Sequence, residues 1–151
     1  MARLIYGAYG SNMNREQMAR RCPDAKVIGT LILEGYELVF CRVATLRKKK
    51  GATVPLVLWE LTPACEQALD RYEGYPHLYG KKHFTITWEG KVWRMMIYLM
   101  TPQHAAQEKP PTETDRQVIE QGYAEHGFDT TPLDEALRNA HQLLNGGEGY
   151  A

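Results

Sequence analysis

Two short segments of the chain contain residues whose types and spacing could do chemistry. The first is a turn between the apolar run Leu4–Tyr6 and a helix-like segment that begins at Asn14. A glycine-bearing turn between a strand and a helix leaves backbone N–H groups free to contact a ligand, and the start of a helix favours anions. The pattern predicts a binding loop made of Tyr9, Gly10, Ser11, Asn12 and Met13.

The spacing of the glycines in this turn argues against the common nucleotide and hydrolase motifs. Gly7 and Gly10 form neither a GxGxxG fingerprint nor a Walker loop, so dinucleotides and nucleoside triphosphates are disfavoured as ligands. The turn is not GxSxG, and Ser11 has no identifiable His–Asp pair that would make it a nucleophile. On this motif alone an alternative stays open, in which Gly10 only permits a turn and Ser11 only satisfies backbone groups.

The second segment, Leu69–Pro76, follows about sixty residues later and contains a candidate acid/base, Glu73. Tyr72, Tyr75 and Tyr79 surround this glutamate in the sequence. A carboxylate among aromatic rings is partly desolvated, which raises its pKa towards neutral pH and suits a general base that must also return a proton. The alternative is a solvent-facing glutamate at the C-terminus of a helix, a position that the helix dipole makes slightly unfavourable.

The composition indicates a globular domain with no strong attraction for polyanions. The 151 residues are enough for one domain with a core, and 44% of them are hydrophobic and 24% charged. The 18 acidic and 18 basic residues balance, so no net field attracts nucleic acid or a membrane surface. A basic run at 47–50 could touch phosphate, but the favoured interpretation is a solvated loop. No apolar run approaches the roughly 20 residues of a membrane span, and the first nine residues do not resemble a signal peptide.

The cysteines and histidines show no metal-ligand pattern. The three cysteines are far apart and form no CxxC pair, which predicts buried free thiols and a reducing, cytoplasmic compartment. The five histidines show neither HxxxH nor HExxH spacing, so we expect no metal and no other cofactor. Small β-rich domains often dimerise, but the sequence carries no distinctive interface signal, and a homodimer stays an open alternative.

The order of the predicted elements indicates a single α+β domain over residues 1–151, with its core at about 3–145. Two hairpins are predicted, one turning at Glu34-Gly35 and one at Glu89–Lys91. The predicted strands are Arg3–Tyr9, Val27–Leu33, Tyr36–Arg42, Val54–Leu61, Lys82–Trp88 and Val92–Met100. The predicted helices begin at Asn14 and at Thr62 and cover Thr112–His126 and Thr131–Leu144, with a frayed tail over 146–151. This order favours a mostly antiparallel, barrel-like sheet with packed helices.

With these residues in view, the chain resembles the γ-glutamylcyclotransferase-like family, which includes the AIG2-like proteins. The turn Tyr9–Asn14 matches the YGSN loop at the N-terminus of the family, and Leu69–Pro76 matches its LDxYEGYP segment. The likeness covers roughly the whole domain and is firmest over residues 5–100. The two motifs at this separation are specific together, whereas either motif alone is a moderate signal.

The resemblance implies a compact, antiparallel β-barrel-like fold and an enzyme that cyclises a γ-glutamyl group to 5-oxoproline, releasing the attached amine or amino acid. It implies a small-molecule γ-glutamyl substrate and no cofactor. Carried over by position, the backbone of residues 9–13 holds the glutamyl α-carboxylate and amine, Glu73 is the acid/base, and Tyr79 lies near the site tyrosine. Asp115 stands where the family often has a tyrosine, which leaves substrate closure and the choice of leaving group open.

Other functions stay open beside this expectation. One is a cyclotransferase specific for γ-glutamylamines or for an acylated biosynthetic intermediate. Another is a non-catalytic module that binds a small ligand in the same cavity, although a pure binder of an amino-acid-like ligand would not need the Glu73 carboxylate. Nucleic-acid binding through the run at 47–50 is disfavoured by the zero net charge.

Overall fold

The computed structural model describes residues 3–149, and the side chains of residues 4–142. Short strands and helices alternate around one long hairpin. In chain order the elements are β1 (Arg3–Ala8), a 3-10 turn (Ser11–Met13), α1 (Arg15–Arg21), β2 (Lys26–Cys41), β3 (Val43–Glu60), α2 (Pro63–Glu73), β4 (Tyr79–Trp88), β5 (Lys91–Met100), α3 (Glu113–Glu125) and α4 (Thr131–Gly149). No helix within residues 3–149 is long and apolar enough to cross a membrane.

The five strands of this region form one sheet with β1 in the middle, in the order β2-β3-β1-β5-β4. Ile5 of β1 is in register with Glu60 of antiparallel β3 on one side and with Met95 of parallel β5 on the other. The sheet is rolled, because side chains of its two edge strands meet: the rings of Tyr36 and Phe84 lie 6.3 Å apart, edge to face. The predicted α+β class with a mostly antiparallel, barrel-like sheet is therefore confirmed.

The hairpin predicted at Glu34-Gly35 is wrong, because β2 runs through these residues without turning. The register with β3 shifts between Glu34 and Tyr36, and Gly35 has a φ of 83°. A glycine at positive φ can form a β-bulge as readily as a turn, and the sequence signal is the same for both. The chain reverses instead at Arg42, whose φ is 73°.

The same error misplaced the basic run at 47–50, which was expected in a loop. These residues lie inside β3 and pair with β2, with Arg47 in register with Glu37. Their side chains are exposed, and Arg47 Nε donates to Glu37 Oε2 over 3.1 Å. The run is therefore a solvated strand face carrying a cross-strand ion pair. The second predicted hairpin is confirmed, with Glu89 and Gly90 both at positive φ between β4 and β5.

The helices begin at the residues that the sequence predicts as caps. Asn14 Oδ1 accepts from the backbone N–H of Gln17 over 3.1 Å at the start of α1, and Thr62 Oγ1 accepts from Cys65 N–H at the start of α2. Gly74 ends α2 in the left-handed conformation, which a glycine adopts without strain. The last helix continues to Gly149, so residues 146–149 are helical rather than frayed, and residues 150–151 of the predicted tail lie outside the described residues.

The turn after β1 is held against α3 by close packing. A Cβ atom placed on Gly122 of α3 would lie 2.9 Å from the Cβ of Met13 and 3.2 Å from the backbone nitrogen of Asn14. Asn14 Nδ2 donates to the carbonyl of Val118, over 3.2 Å, and the His126 ring nitrogen lies 3.1 Å from the Met13 carbonyl oxygen. A glycine is therefore required where α3 crosses this turn.

We expect Gly122→Ala to destabilise the protein. In an unconstrained helix this change would stabilise by about 1 kcal/mol, but here the added methyl group overlaps Met13, and overpacking typically costs roughly 1–3 kcal/mol. A net loss of about 1 kcal/mol would lower Tm by roughly 2–4 °C in a domain of this size. Gly80→Ala is the control, because a Cβ at Gly80 would meet only the Leu99 oxygen, at 3.8 Å. Thermal unfolding that leaves Gly122→Ala as stable as the wild type would contradict the packing argument.

Candidate functional site

A cavity of about 200 Å³ lies where the turn after β1 meets the end of α2 and the start of α3. It is smaller than the roughly 300–1,000 Å³ of sites for drug-sized ligands, so it fits a ligand of about amino-acid size. Its lining is rich in tyrosine and contains two carboxylates. The lining residues are Tyr6, Tyr9, Gly10, Ser11, Asn12, Val43, Ala44, Tyr72, Glu73, Leu78, Tyr79, Tyr98 and Asp115.

The structure brings six of the seven sequence-predicted site residues to this cavity, and Met13 is the exception. The Met13 side chain is fully buried in the core beneath α3. Its backbone N–H donates to the Gly10 carbonyl over 3.0 Å, so this donor is already used inside the turn. Met13 therefore anchors the loop from below and does not line the cavity.

Two residues of the loop that line the cavity, Ser11 and Asn12, have backbone N–H groups that are not used inside the turn. Its internal hydrogen bonds use the carbonyls of Gly10 and Ser11, which accept from Met13 and Asn14. The first N–H groups of a helical turn have no partner within the turn. In the part of the chain that the structure describes, the N–H groups of Ser11 and Asn12 donate to no protein acceptor. These two groups are available to an anionic ligand atom.

Glu73 is the last residue of α2, and its half-buried side chain faces the cavity. Burial raises the pKa of this carboxyl to about 7; the positive charge of Arg21 lowers it, and the negative charge of Asp115 raises it. The direction agrees with the expectation from the neighbouring tyrosines. The surrounding rings differ in part, because Tyr75 is exposed and lies under Lys81 Nζ, 4.4 Å from its ring centre. Its place in the lining is taken by tyrosines of β1 and β5.

Asn12 connects the loop to Glu73 and is almost fully buried. Its Nδ2 group donates to the Tyr6 hydroxyl over 3.1 Å and lies 3.5 Å from Glu73 Oε1. The latter contact is long for a hydrogen bond and is weaker than the former. The backbone carbonyl of Asn12 accepts from the Trp59 indole N–H over 3.0 Å. The asparagine of the YGSN motif therefore fixes the position of the loop and adds a donor beside the Glu73 carboxylate.

Arg21 is a site residue that the sequence reasoning missed. One guanidinium nitrogen donates to Asn12 Oδ1 over 2.6 Å, and the group lies 3.6 Å above the centre of the Tyr72 ring. This bond orients the Asn12 amide with its NH₂ towards Glu73. A signal existed in the sequence: Glu16 and Arg20 are four residues apart and form an exposed ion pair, which leaves the adjacent Arg21 to another partner.

Three buried tyrosines of the cavity, Tyr9, Tyr79 and Tyr98, use their hydroxyl protons in fixed hydrogen bonds. Tyr79 donates to the Ala44 carbonyl and Tyr9 to the Tyr98 carbonyl, each over 2.6 Å. Tyr98 in turn donates to Asp70 Oδ1 over 2.5 Å. Burial raises the pKa of each of these tyrosines above its ordinary value. They remain protonated near neutral pH, so they shape the cavity and leave proton transfer to the carboxyl groups.

Asp115 lies on the first turn of α3 and lines the cavity, as expected for a position that aligns with a site tyrosine. Burial raises the pKa of its carboxyl, and the charge of Arg21 acts in the opposite direction. Two carboxylates therefore line the cavity, and one guanidinium beside it acts on both. The charges of these three groups determine the electrostatic potential at a ligand in the cavity.

A second cavity, of about 410 Å³, lies between the β2–β3 hairpin and the start of α4. Its charged lining residues include Glu37, Lys49 and Glu135, and the residues of the two sequence motifs are not among its lining. The smaller cavity is therefore the better candidate for chemistry, because it gathers the motif residues around a carboxyl with a shifted pKa. Among the described residues, no group of three or more His, Cys, Asp or Glu side chains is placed to hold a metal ion.

Comparison with known proteins agrees with the fold and identifies the family. Residues 6–122 match the model of the family described as gamma-glutamyl cyclotransferase, AIG2-like. The human and mouse proteins named gamma-glutamylcyclotransferase are 28% and 29% identical over 139 residues, which cover 83% of this chain and 72% of each relative. A solved structure titled gamma-glutamyl cyclotransferase matches with a TM-score of 0.70 at 24% identity, over 89% of this chain and 85% of its own. The chain belongs to the γ-glutamyl cyclotransferase, AIG2-like family.

The raised pKa of Glu73 predicts a pH-dependent gain in stability for Glu73→Gln. The native state holds this proton up to about pH 7, whereas the unfolded chain loses it near the ordinary value of 4.5, so Glu73 makes stability fall as pH rises between these values. Glutamine removes the ionisation. Urea unfolding should show Glu73→Gln more stabilised, relative to the wild type, at pH 8 than at pH 5. The exposed Glu16→Gln is the control, and an equal effect of Glu73→Gln at both pH values would contradict the burial of the charge.

Arg21→Gln should raise the pKa of Glu73 above its present value of about 7, because the guanidinium charge lowers this pKa. Titration of the glutamate carboxyl carbons by NMR would measure the change directly. Arg20→Gln removes the same charge from the neighbouring, exposed residue and should leave the Glu73 titration unchanged. An unchanged Glu73 pKa in Arg21→Gln would show that the guanidinium does not act on the cavity.

Proposed function

We propose that this protein is a γ-glutamylcyclotransferase that converts the γ-glutamyl group of a small molecule into 5-oxoproline and releases the attached amine or amino acid. The observation that carries the proposal is a half-buried glutamate with a pKa of about 7, lining an amino-acid-sized cavity beside a loop with available N–H groups. Membership of the family supports the reaction class. The buried free cysteines support a reducing compartment, for which we propose the cytoplasm.

In the proposed reaction the substrate attacks itself. Its α-amine nitrogen forms a bond to its own side-chain carbonyl carbon, and the bond from that carbon to the leaving nitrogen breaks. Glu73 takes a proton from the α-ammonium group, which makes the amine nucleophilic, and then gives a proton to the leaving amine. The cavity must fold the glutamyl chain so that amine and carbonyl meet, an orientation effect worth several orders of magnitude in rate.

The pKa of Glu73 suits both proton transfers. Transfer of the α-ammonium proton to an ordinary glutamate, whose pKa is about 4.3, is strongly uphill. A carboxyl with a pKa of about 7 makes the same transfer less unfavourable by about 3–4 kcal/mol. The same carboxyl remains acidic enough to protonate a departing amine.

The loop provides the donors for the substrate's negative end. We assign the N–H groups of Ser11 and Asn12 to the α-carboxylate, which places the α-ammonium group on the side of Glu73. Asn12 links the two parts, because its backbone belongs to the loop and its side chain lies 3.5 Å from Glu73 Oε1. The buried tyrosines exclude water around the reacting atoms.

The test is 5-oxoproline release from a panel of γ-glutamyl amino acids, γ-glutamylamines and glutathione. We expect release by the wild type and a loss of kcat/KM of at least about a hundredfold in Glu73→Gln, since removal of a general acid/base typically costs 10²–10⁴-fold. The exposed Glu16→Gln should keep the wild-type rate. Near-normal turnover by Glu73→Gln would remove Glu73 from the mechanism. Binding of γ-glutamyl compounds without turnover of any would favour a non-catalytic binding module instead.

A further inference from the structure

Asp115 is an acceptor without a protein partner in the cavity. Its backbone N–H donates to Thr112 Oγ1, the cap of α3, over 3.2 Å. Among the described side chains, those of residues 4–142, none donates a hydrogen bond to its carboxylate or forms an ion pair with it, and the Arg21 guanidinium acts on it through its charge alone. A positive or donating partner stabilises a partly buried carboxylate, and Asp115 lines a cavity in which a ligand can provide that partner.

The cations around the cavity are committed to other groups. Arg21 binds the Asn12 side chain and stacks on Tyr72. Lys81 bridges Glu66 and Asp70, with Nζ–O distances of 2.7 and 2.8 Å. This group of three side chains therefore carries one positive and two negative charges. Counting Glu73 as ionised, the cavity and its border carry more negative than positive charge.

The glutamyl end of a substrate does not correct this imbalance. An α-ammonium and an α-carboxylate together have no net charge, so the excess negative charge is left for the other end of the substrate to match. Arg21 already covers one face of Tyr72, and the other four tyrosines of the lining act in the same direction where a ring face meets the ligand, because aromatic faces attract cations and repel anions. Both features favour a leaving group that carries a positive charge.

We propose that Asp115 selects γ-glutamyl compounds whose leaving amine carries a second, positively charged amino group, and that it disfavours those whose leaving group ends in a carboxylate. This inference rests on the proposed cyclotransferase function and names the substrate class within it. Asp115 is a specificity-determining residue, since it acts on the charge of the leaving group and takes no part in the proton transfers at Glu73.

The experiment compares three substrates of equal length that differ only in charge. Their leaving groups are a short linear diamine, the neutral alkylamine of the same length and the ω-amino acid of the same length. With the wild-type protein we expect kcat/KM to fall in that order, by at least about tenfold from the first to the last, because a unit charge a few ångströms from Asp115 gains or loses that much in a partly solvated site.

Three variants at two residues of the same helix turn separate the effect of Asp115 from that of total charge. Asp115→Asn should reduce the cationic-to-anionic ratio of kcat/KM by about tenfold, and Asp115→Glu should restore most of it. Glu113→Gln removes one charge from an exposed residue of the same turn, outside the cavity lining, and should leave the ratio unchanged. Thermal unfolding of each variant checks that α3 is intact.

The outcomes distinguish failure of this inference from failure of the proposed function. Absence of 5-oxoproline from these three substrates and from the whole γ-glutamyl panel would overturn the proposed function, and this inference with it. Turnover of a panel member but of none of these three would overturn the inference alone. Turnover with a preference for the anionic leaving group, or an unchanged ratio in Asp115→Asn, would overturn the inference alone. An equal loss for all three substrates in Asp115→Asn would also overturn it, because Asp115 would then bind the α-ammonium group that they share.

Discussion

The structure of the site depends on one electrostatic constraint, the partial burial of the Glu73 carboxyl among tyrosine rings. Burial disfavours the charged form, and the Arg21 guanidinium favours it. Either effect alone would give a poor acid/base. Full desolvation would keep the carboxyl protonated, and a close ion pair would keep it ionised. Arg21 does not contact Glu73 directly; it binds Asn12, whose amide lies between them. The indirect arrangement leaves a moderate attraction, and the pKa of Glu73 stays near neutral.

Maintaining this balance requires the loop after β1 to be rigid, and the fold fixes it from three sides. β1 is the central strand, with a neighbour on each side, so the start of the loop cannot shift along the sheet. Trp59 of β3 binds the Asn12 carbonyl. Gly122 lets α3 approach the backbone at Met13 and Asn14 more closely than any other residue would allow. The same helix carries Asp115 on its first turn, so one close helix crossing positions both the loop and the second carboxylate.

Much of this arrangement could be predicted from the sequence, because its signals are local. The caps at Asn14 and Thr62, the Glu89-Gly90 turn and the position of Glu73 at the end of a helix all depend on a few adjacent residues. The features that were predicted wrongly or missed depend instead on contacts between separate elements of the fold. Gly35 permits a bulge or a turn equally, and only pairing with β3 decides between them. Met13 sits in a binding motif, but its side chain faces the core because α3 packs on that side. The role of Arg21 depends on a partner nine residues away across a turn, which no helical or strand periodicity reveals.

The charge balance of the cavity also bears on when Glu73 becomes a base in the proposed reaction. A cation near a carboxyl lowers its pKa, so an arriving α-ammonium group favours the ionised form of Glu73 as the complex forms. Transfer of the proton removes that cation, and burial then favours the protonated form, with Asp115 acting in the same direction. The proton is therefore held on Glu73 until the leaving nitrogen becomes basic enough to take it. One buried carboxyl with an opposing guanidinium and a second carboxylate can in this way serve as base and acid in turn, with the substrate's own charge driving the change.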